Sequence, residues 1–221
     1  MTVIATVAGT VPLLLDGLAT TLLICAVAMV GAVLIAVPVV AARRRGGVLG
    51  GLARAYVLIV RGLPIVILVF LMYFGLPAAL GLGRVSAFWV GVVALSLNGG
   101  AFVSEVLRAA IDRVPQGQWD AARALALPRR VVWTRVIVPQ MLPVALPALV
   151  GELSFLVKAS PVLSLITVVD LTRRSQQVAM ETFDPLAPML AAAVLYFAII
   201  YVLSTLSRAL EGRLSPPRGR A

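Results

Sequence analysis

Five apolar runs divide the chain, at residues 18–40, 62–83, 85–104, 136–157 and 185–207. Each has about the 20 residues a helix needs to cross a bilayer's hydrocarbon layer. Ionisable residues mark their ends: Arg61 and Arg84 flank the second run, Glu105 closes the third, Arg135 precedes the fourth, and Asp184 and Arg208 bracket the fifth. The pattern predicts an all-α membrane protein with five transmembrane helices. Residues 1–10 carry no Lys or Arg, so the first run lacks the basic leader of a signal peptide and is read as a retained helix. A sixth apolar stretch, 161–169, is too short to span and predicts a re-entrant or interfacial segment.

Composition agrees with the pattern. The 221 residues are 61% hydrophobic and 13% charged, against about 45–50% and 25% in ordinary soluble domains, and the mean hydropathy is +1.05. A soluble globular domain is excluded, and five spans leave no room for a nucleotide-binding or soluble catalytic domain. The chain reads as a single membrane domain over 1–221.

Charge then sets orientation. The net charge is +10, and Lys158 is the only lysine among nineteen basic residues. With five spans and the N-terminus outside, fifteen of the nineteen fall on the inner side. They lie at Arg43–Arg45, Arg54 and Arg61, in the loop from Arg108 to Arg135, and after the fifth span at Arg208, Arg213, Arg218 and Arg220. The positive-inside rule therefore favours an outer N-terminus and a cytoplasmic C-terminus in a bacterial inner membrane. Clustering of the charge beside apolar runs makes it a topology signal rather than a nucleic-acid footprint. One cysteine and no histidine exclude a disulfide framework and most zinc sites.

The longest polar stretch, 108–135, has internal order. Pro115 and Gly117 break helical continuity. Residues 118–127 are mostly good helix formers, and Pro128 stops them. Trp119, Ala122 and Ala126 share one face of that short helix, with Asp120, Arg123 and Leu127 on the adjoining one. Spacing alone leaves two readings open: an amphipathic helix resting on lipid, or a small-residue surface that lets another protein approach closely.

The residues around this helix resemble the EAA loop of ABC importer permeases of the polar amino-acid (histidine/glutamine-type) uptake family. The matching positions are Glu105, Arg108, Pro115, Gly117, Gln118, Asp120, Ala121, Ala122 and Leu125, then Val138-Pro139-Gln140 entering the fourth span. Arg61-Gly62-Leu63-Pro64 and Tyr73-Phe74-Gly75-Leu76-Pro77 are similar to family motifs at the two ends of the second span. Lys158 and Val168-Val169-Asp170-Leu171 are similar to two later motifs. The sequence departs at Asp120, where the family has Glu, at Ala126, where it has Gly, and at Ala159, where it has a carboxylate. An alanine at 126 can stay helical, so a straighter or shifted turn is expected there.

The resemblance implies a type I ABC importer permease fold whose loop helix, at Gly117, Gln118, Asp120, Ala121, Ala122 and Leu125, couples to an ATPase. It implies an ABC ATPase dimer that binds ATP and Mg, no cofactor or catalysis in this chain, a second permease subunit (same or homologous) and an extracytoplasmic amino-acid-binding protein.

Ionisable groups within spans are costly and are functional candidates. Glu152 is a candidate for the substrate pathway, with Lys158 and Asn98; the competing reading has Glu152 only fixing helix packing. Asn98-Gly99-Gly100 reads first as a close helix contact. Arg61 reads as an interfacial, snorkelling arginine. Pro139, Pro143 and Pro147 recur on one face and predict a kinked fourth helix. A permease for another small polar solute and a secondary transporter remain alternative functions, though the latter usually shows internal repeats in a longer chain. An integral-membrane enzyme would need convergent catalytic groups, and none is visible.

Overall fold

The computed structural model describes residues 2–81 and 83–214, and for 2–6 the backbone alone. Arg218 and Arg220, counted above for orientation, lie outside the described residues. Among the described residues the chain folds as eight helices. The first, α1, is Thr2–Arg45, followed by α2 at Gly47–Gly62 and α3 at Ile65–Leu80. Next come α4 at Ala87–Asp112, the short α5 at Gln116–Ala124 and the long composite α6 at Arg129–Ile166. Last are α7 at Leu171–Thr182 and α8 at Leu186–Leu214.

Four helices, α1, α4, α6 and α8, are long and apolar enough to cross a membrane, and α3 becomes a fifth if the bent α2–α3 pair counts as one span. All five predicted spans thus contain helix, with changed limits. The first and fifth runs sit inside longer helices. The third continues two turns past Glu105 to Asp112. The second is shorter than its apolar run, because α2 and α3 meet at 107°. The break falls at Leu63-Pro64: proline disfavours helical geometry at the residue before it, and Leu63 is extended (ψ 134°). The segment 47–62, which carries no apolar run, is itself a helix, burying Gly50, Ala53, Val57 and Val60.

Two stretches of π-helix interrupt the spans, Leu71–Gly75 in α3 and Val132–Ile137 in α6. Each ends two residues before a proline, Pro77 or Pro139. A proline cannot donate to the carbonyl four residues back, and a local i→i+5 ladder is one way to accommodate the loss. In the fourth span the π-helical turn lies at the entry, while Pro143 and Pro147 sit inside continuous α-helix. At its far end, 160–166 is 3₁₀-helix closed by Thr167 at φ +70°, with Leu163 and Ile166 fully buried. The sixth apolar stretch is thus a packed cap continuous with α6.

Close α1–α4 packing organises the core. A Cβ on Gly99 would lie 3.1 Å from the Ala32 side chain, and one on Gly100 would lie 2.8 Å from Ile35. The predicted small-residue contact is present. Asn98 beside it is buried, and its side-chain oxygen has no hydrogen-bond partner.

The packing gives the bundle two distinct ends. At one, Arg43 of α1 pairs with Glu105 of α4. At the other, Leu171 of α7 donates its N–H to Thr21 of α1 at 3.0 Å.

Candidate functional site

At the Arg-rich end, α1 finishes on Arg43-Arg44-Arg45, basic residues that suit a helix C-terminus. Arg43 and Arg108 both donate to Glu105. Arg44 and Arg108 both donate to Asp112, at 3.2 and 3.1 Å. The two carboxylates thus join the last turns of α1 and α4 in one network. Glu105 is only 20% exposed, so its two guanidinium partners offset a real desolvation cost.

This network carries α5. Arg44 also lies over the Trp119 ring, 5.2 Å from its centroid, and 5.9 Å from that of Trp133. The two tryptophans meet edge-to-face at 5.8 Å, a favourable arrangement for aromatic pairs. Ala122, one turn on from Trp119, is buried. Gln140 donates to Gln118 at 3.4 Å, linking α5 to the entry of α6.

The face predicted from spacing is therefore half right. Trp119 and Ala122 do turn inward. Ala126 does not continue the helix: α5 ends at Ala124, and Ala126 sits at φ +49°. The left-handed turn that a glycine would favour is kept with alanine at 126, so the expectation of a straighter turn there is corrected. Pro128 is not the stop signal either, since the chain leaves the helix before reaching it. The Leu127 N–H still bonds back to the Ala122 carbonyl at 3.1 Å, which closes the end.

Among the loop candidates, Gly117, Gln118, Asp120, Ala121 and Leu125 are exposed, and Ala122 faces the bundle. Leu125 is 71% exposed. Asp120 accepts from Arg123 at 2.7 Å on the outer surface. The short helix thus has an anchored inner face and an open outer face of small residues, one ion pair and one bare leucine.

The span candidates are not gathered into one site. Asn98 is buried between helices, Lys158 is exposed, and Glu152 is half-buried. Arg61 lies over the Phe102 ring at 5.0 Å, and Phe102 packs on Phe155 at 5.4 Å. Arg61 is held over an aromatic ring rather than merely snorkelling. It also lines an open groove of about 650 Å³ with Arg54, Phe102 and Glu105.

Sequence reasoning missed Trp133, the Arg43–Glu105 and Arg44–Asp112 pairs, and the role of Arg61. Partners from 14 to 89 positions apart leave no local signal. Glu105 and Arg108 were visible only through their place in a motif.

The comparisons with known proteins bear on this arrangement. Residues 34–216 match the model of the family described as binding-protein-dependent transport system inner membrane component. The chain belongs to that family. An arginine transport system permease protein of Bacillus subtilis is 36% identical over 205 residues, covering 92% of this chain and 93% of that protein. A Rickettsia conorii protein named for a glutamine transport system permease is 40% identical over 162 residues, 73% of this chain and 74% of the relative. The fold matches a chain from the crystal structure of an amino acid ABC transporter with histidines. The TM-score is 0.85 at 31% identity, covering 93% of this chain and 96% of that one. The protein is thus a permease subunit of an ABC importer with the type I fold, a multi-pass protein of the bacterial inner membrane.

Proposed function

We propose that this permease passes polar or charged amino acids, and that α5 is the element through which partner ATPases drive it. The observation that carries the second part is the two-sided construction of α5. Its inner face is fixed by Trp119, Ala122 and the Arg44 stack, while Gly117, Gln118, Asp120, Ala121 and Leu125 face outward. Small residues permit close approach, Asp120 supplies a charge-assisted contact, and Leu125 is an apolar knob for a groove. Movement of a docked partner would reach α1 and α4 through Arg44 and the two carboxylates.

The Arg-rich end is the cytoplasmic one in this reading, with the N-terminus outside and the C-terminus inside. ATP and Mg belong to the ATPase dimer; this chain supplies no catalytic group. A second permease subunit, the same or homologous, completes the pathway, and an extracytoplasmic binding protein delivers cargo. Residues 1–221 act as one membrane domain.

The amino-acid cargo is supported by the arginine and glutamine names of the relatives and by Glu152, whose carboxylate suits an ammonium or guanidinium. Glu152, Lys158 and Asn98 are the pathway candidates. Unchanged transport affinity and rate in Glu152→Gln would remove Glu152 from the pathway. Co-purification with the ATPase tests the docking face: Leu125→Asp is expected to weaken it, and an intact complex would contradict the assignment.

A further inference from the structure

An apolar groove of about 680 Å³ lies at the Arg-rich end, on the opposite side of α5 from the exposed Gly117, Asp120 and Ala121. Val37, Val40 and Ala41 of α1, Leu107 of α4, and Val138 and Met141 of α6 line it, with Arg44, Arg45 and Arg129 also in its wall. The volume is that of a small-molecule site, and the lining is mainly hydrocarbon.

Two observations say what belongs there. The first is charge. Arg44 is already paired with Asp112, but among the described residues Arg45 and Arg129 make no ion pair. Both are exposed. The second is continuity with the bilayer. Val37 is 56% exposed, and Leu34 and Val30, one and two turns back on α1, are as open. The groove therefore runs on into the exposed apolar face of α1, which in the orientation proposed above meets lipid at the level of the cytoplasmic headgroups. Basic pockets between helices on that side bind anionic headgroups.

We infer that this groove binds an anionic phospholipid, with an acyl chain against Val37, Val40, Leu107 and Met141 and its phosphate between Arg45 and Arg129. The lipid bridges the last turn of α1 to the segment that carries Trp133, beside the anchor of α5. The inference rests on the orientation proposed above. Its assay reads neither transport nor ATPase docking, and a separate topology measurement on the C-terminus would expose a wrong orientation.

The test uses the assembled importer, reconstituted in vesicles of equal phosphatidylglycerol and phosphatidylcholine, re-extracted in mild detergent and examined by native mass spectrometry. Phosphatidylglycerol is expected to be retained over phosphatidylcholine. The double variant Arg45→Gln/Arg129→Gln should lower its retention by about tenfold or more, since each arginine near the surface contributes on the order of a few-fold. Ala41→Trp, which fills the groove, should displace lipid of either headgroup. The Arg208→Gln/Arg213→Gln variant, equal in charge change but on α8, should leave retention as it was. Equal losses in the two arginine pairs, or absence of selectivity, would overturn the proposal.

Discussion

The two ends of the bundle solve the same joining problem with different chemistry. At the Arg-rich end, α1 and α4 are tied by Arg43–Glu105, Arg44–Asp112 and a tryptophan pair, all at least partly open to solvent. At the other, α1, α7 and α8 are tied by hydrogen bonds around the buried Asp170 carboxylate, with an exposed bond from Arg174 to the Leu13 carbonyl. Asp170 is fully buried and caps α7 by accepting from the Arg173 N–H at 2.8 Å. Thr172 and Tyr196 share a hydrogen bond at 3.0 Å beside it. Exposed ion pairs tolerate small displacements; a buried, satisfied polar cluster resists them. In the proposed function, movement falls to the end that carries α5, and the end that carries α7 holds still.

The largest expected effect lies at the rigid end. A Cβ on Gly17 would sit 2.7 Å from Arg174 and 2.8 Å from the Asp170 carbonyl oxygen. Backbone cannot yield as a flexible side chain does, so Gly17→Val should cost about 3 kcal/mol, read as a lowered thermal midpoint in detergent. A small shift would mean that this end is looser than its packing shows.

Asp170 comes next. Burial pushes its carboxyl up to about 6, against the hydrogen bonds from Arg173, Thr172 and Tyr196 that pull it down. The folded state therefore holds a proton that the unfolded chain has already released. This contribution to stability is fully present below the unfolded value and is lost as pH rises through about 6, an effect on the order of 2 kcal/mol. Asp170→Asn keeps a cap acceptor and should flatten the stability profile between about pH 4 and 7. A profile that keeps its slope in the variant would assign the titration elsewhere.

Glu105→Gln tests the mobile end. It leaves Arg43 and Arg108 without their shared charge at a partly exposed site, for a loss of about 1.5 kcal/mol. That loss should shrink in high salt, whereas the Gly17 effect should not. The smallest effect belongs to the outer face of α5. Arg123→Gln breaks an exposed ion pair with Asp120 and should change stability by only about 0.3 kcal/mol.

The sequence carried the spans well because their apolar runs are long and bounded by charge. Their limits were less legible. The α2 helix has no run longer than a few apolar residues, and only tertiary packing of Gly50, Ala53, Val57 and Val60 makes it a helix against α1 and α4. The short loop helix α5 was visible through Gly117, Gln118 and Ala121, but its inner anchor was not. Trp119 and Trp133 are ordinary interfacial residues until the fold sets Arg44 over them. Ala126 shows the reverse: propensity favours helix there, yet the turn is imposed by the chain on either side. The positions of Asn98, Glu152 and Lys158 on separate surfaces depend on helix rotation, which apolar runs do not encode.

The central claim is that the outer face of α5 receives the ATPase and transmits its movement. Ala121→Trp tests it most directly, because Ala121 is exposed and the change touches none of the contacts that hold α5 to the bundle. Substrate-stimulated ATP hydrolysis by the reconstituted importer should fall about tenfold or more, the equivalent of about 1.4 kcal/mol of lost coupling, with the thermal midpoint unchanged. Full stimulation in that variant would contradict the account.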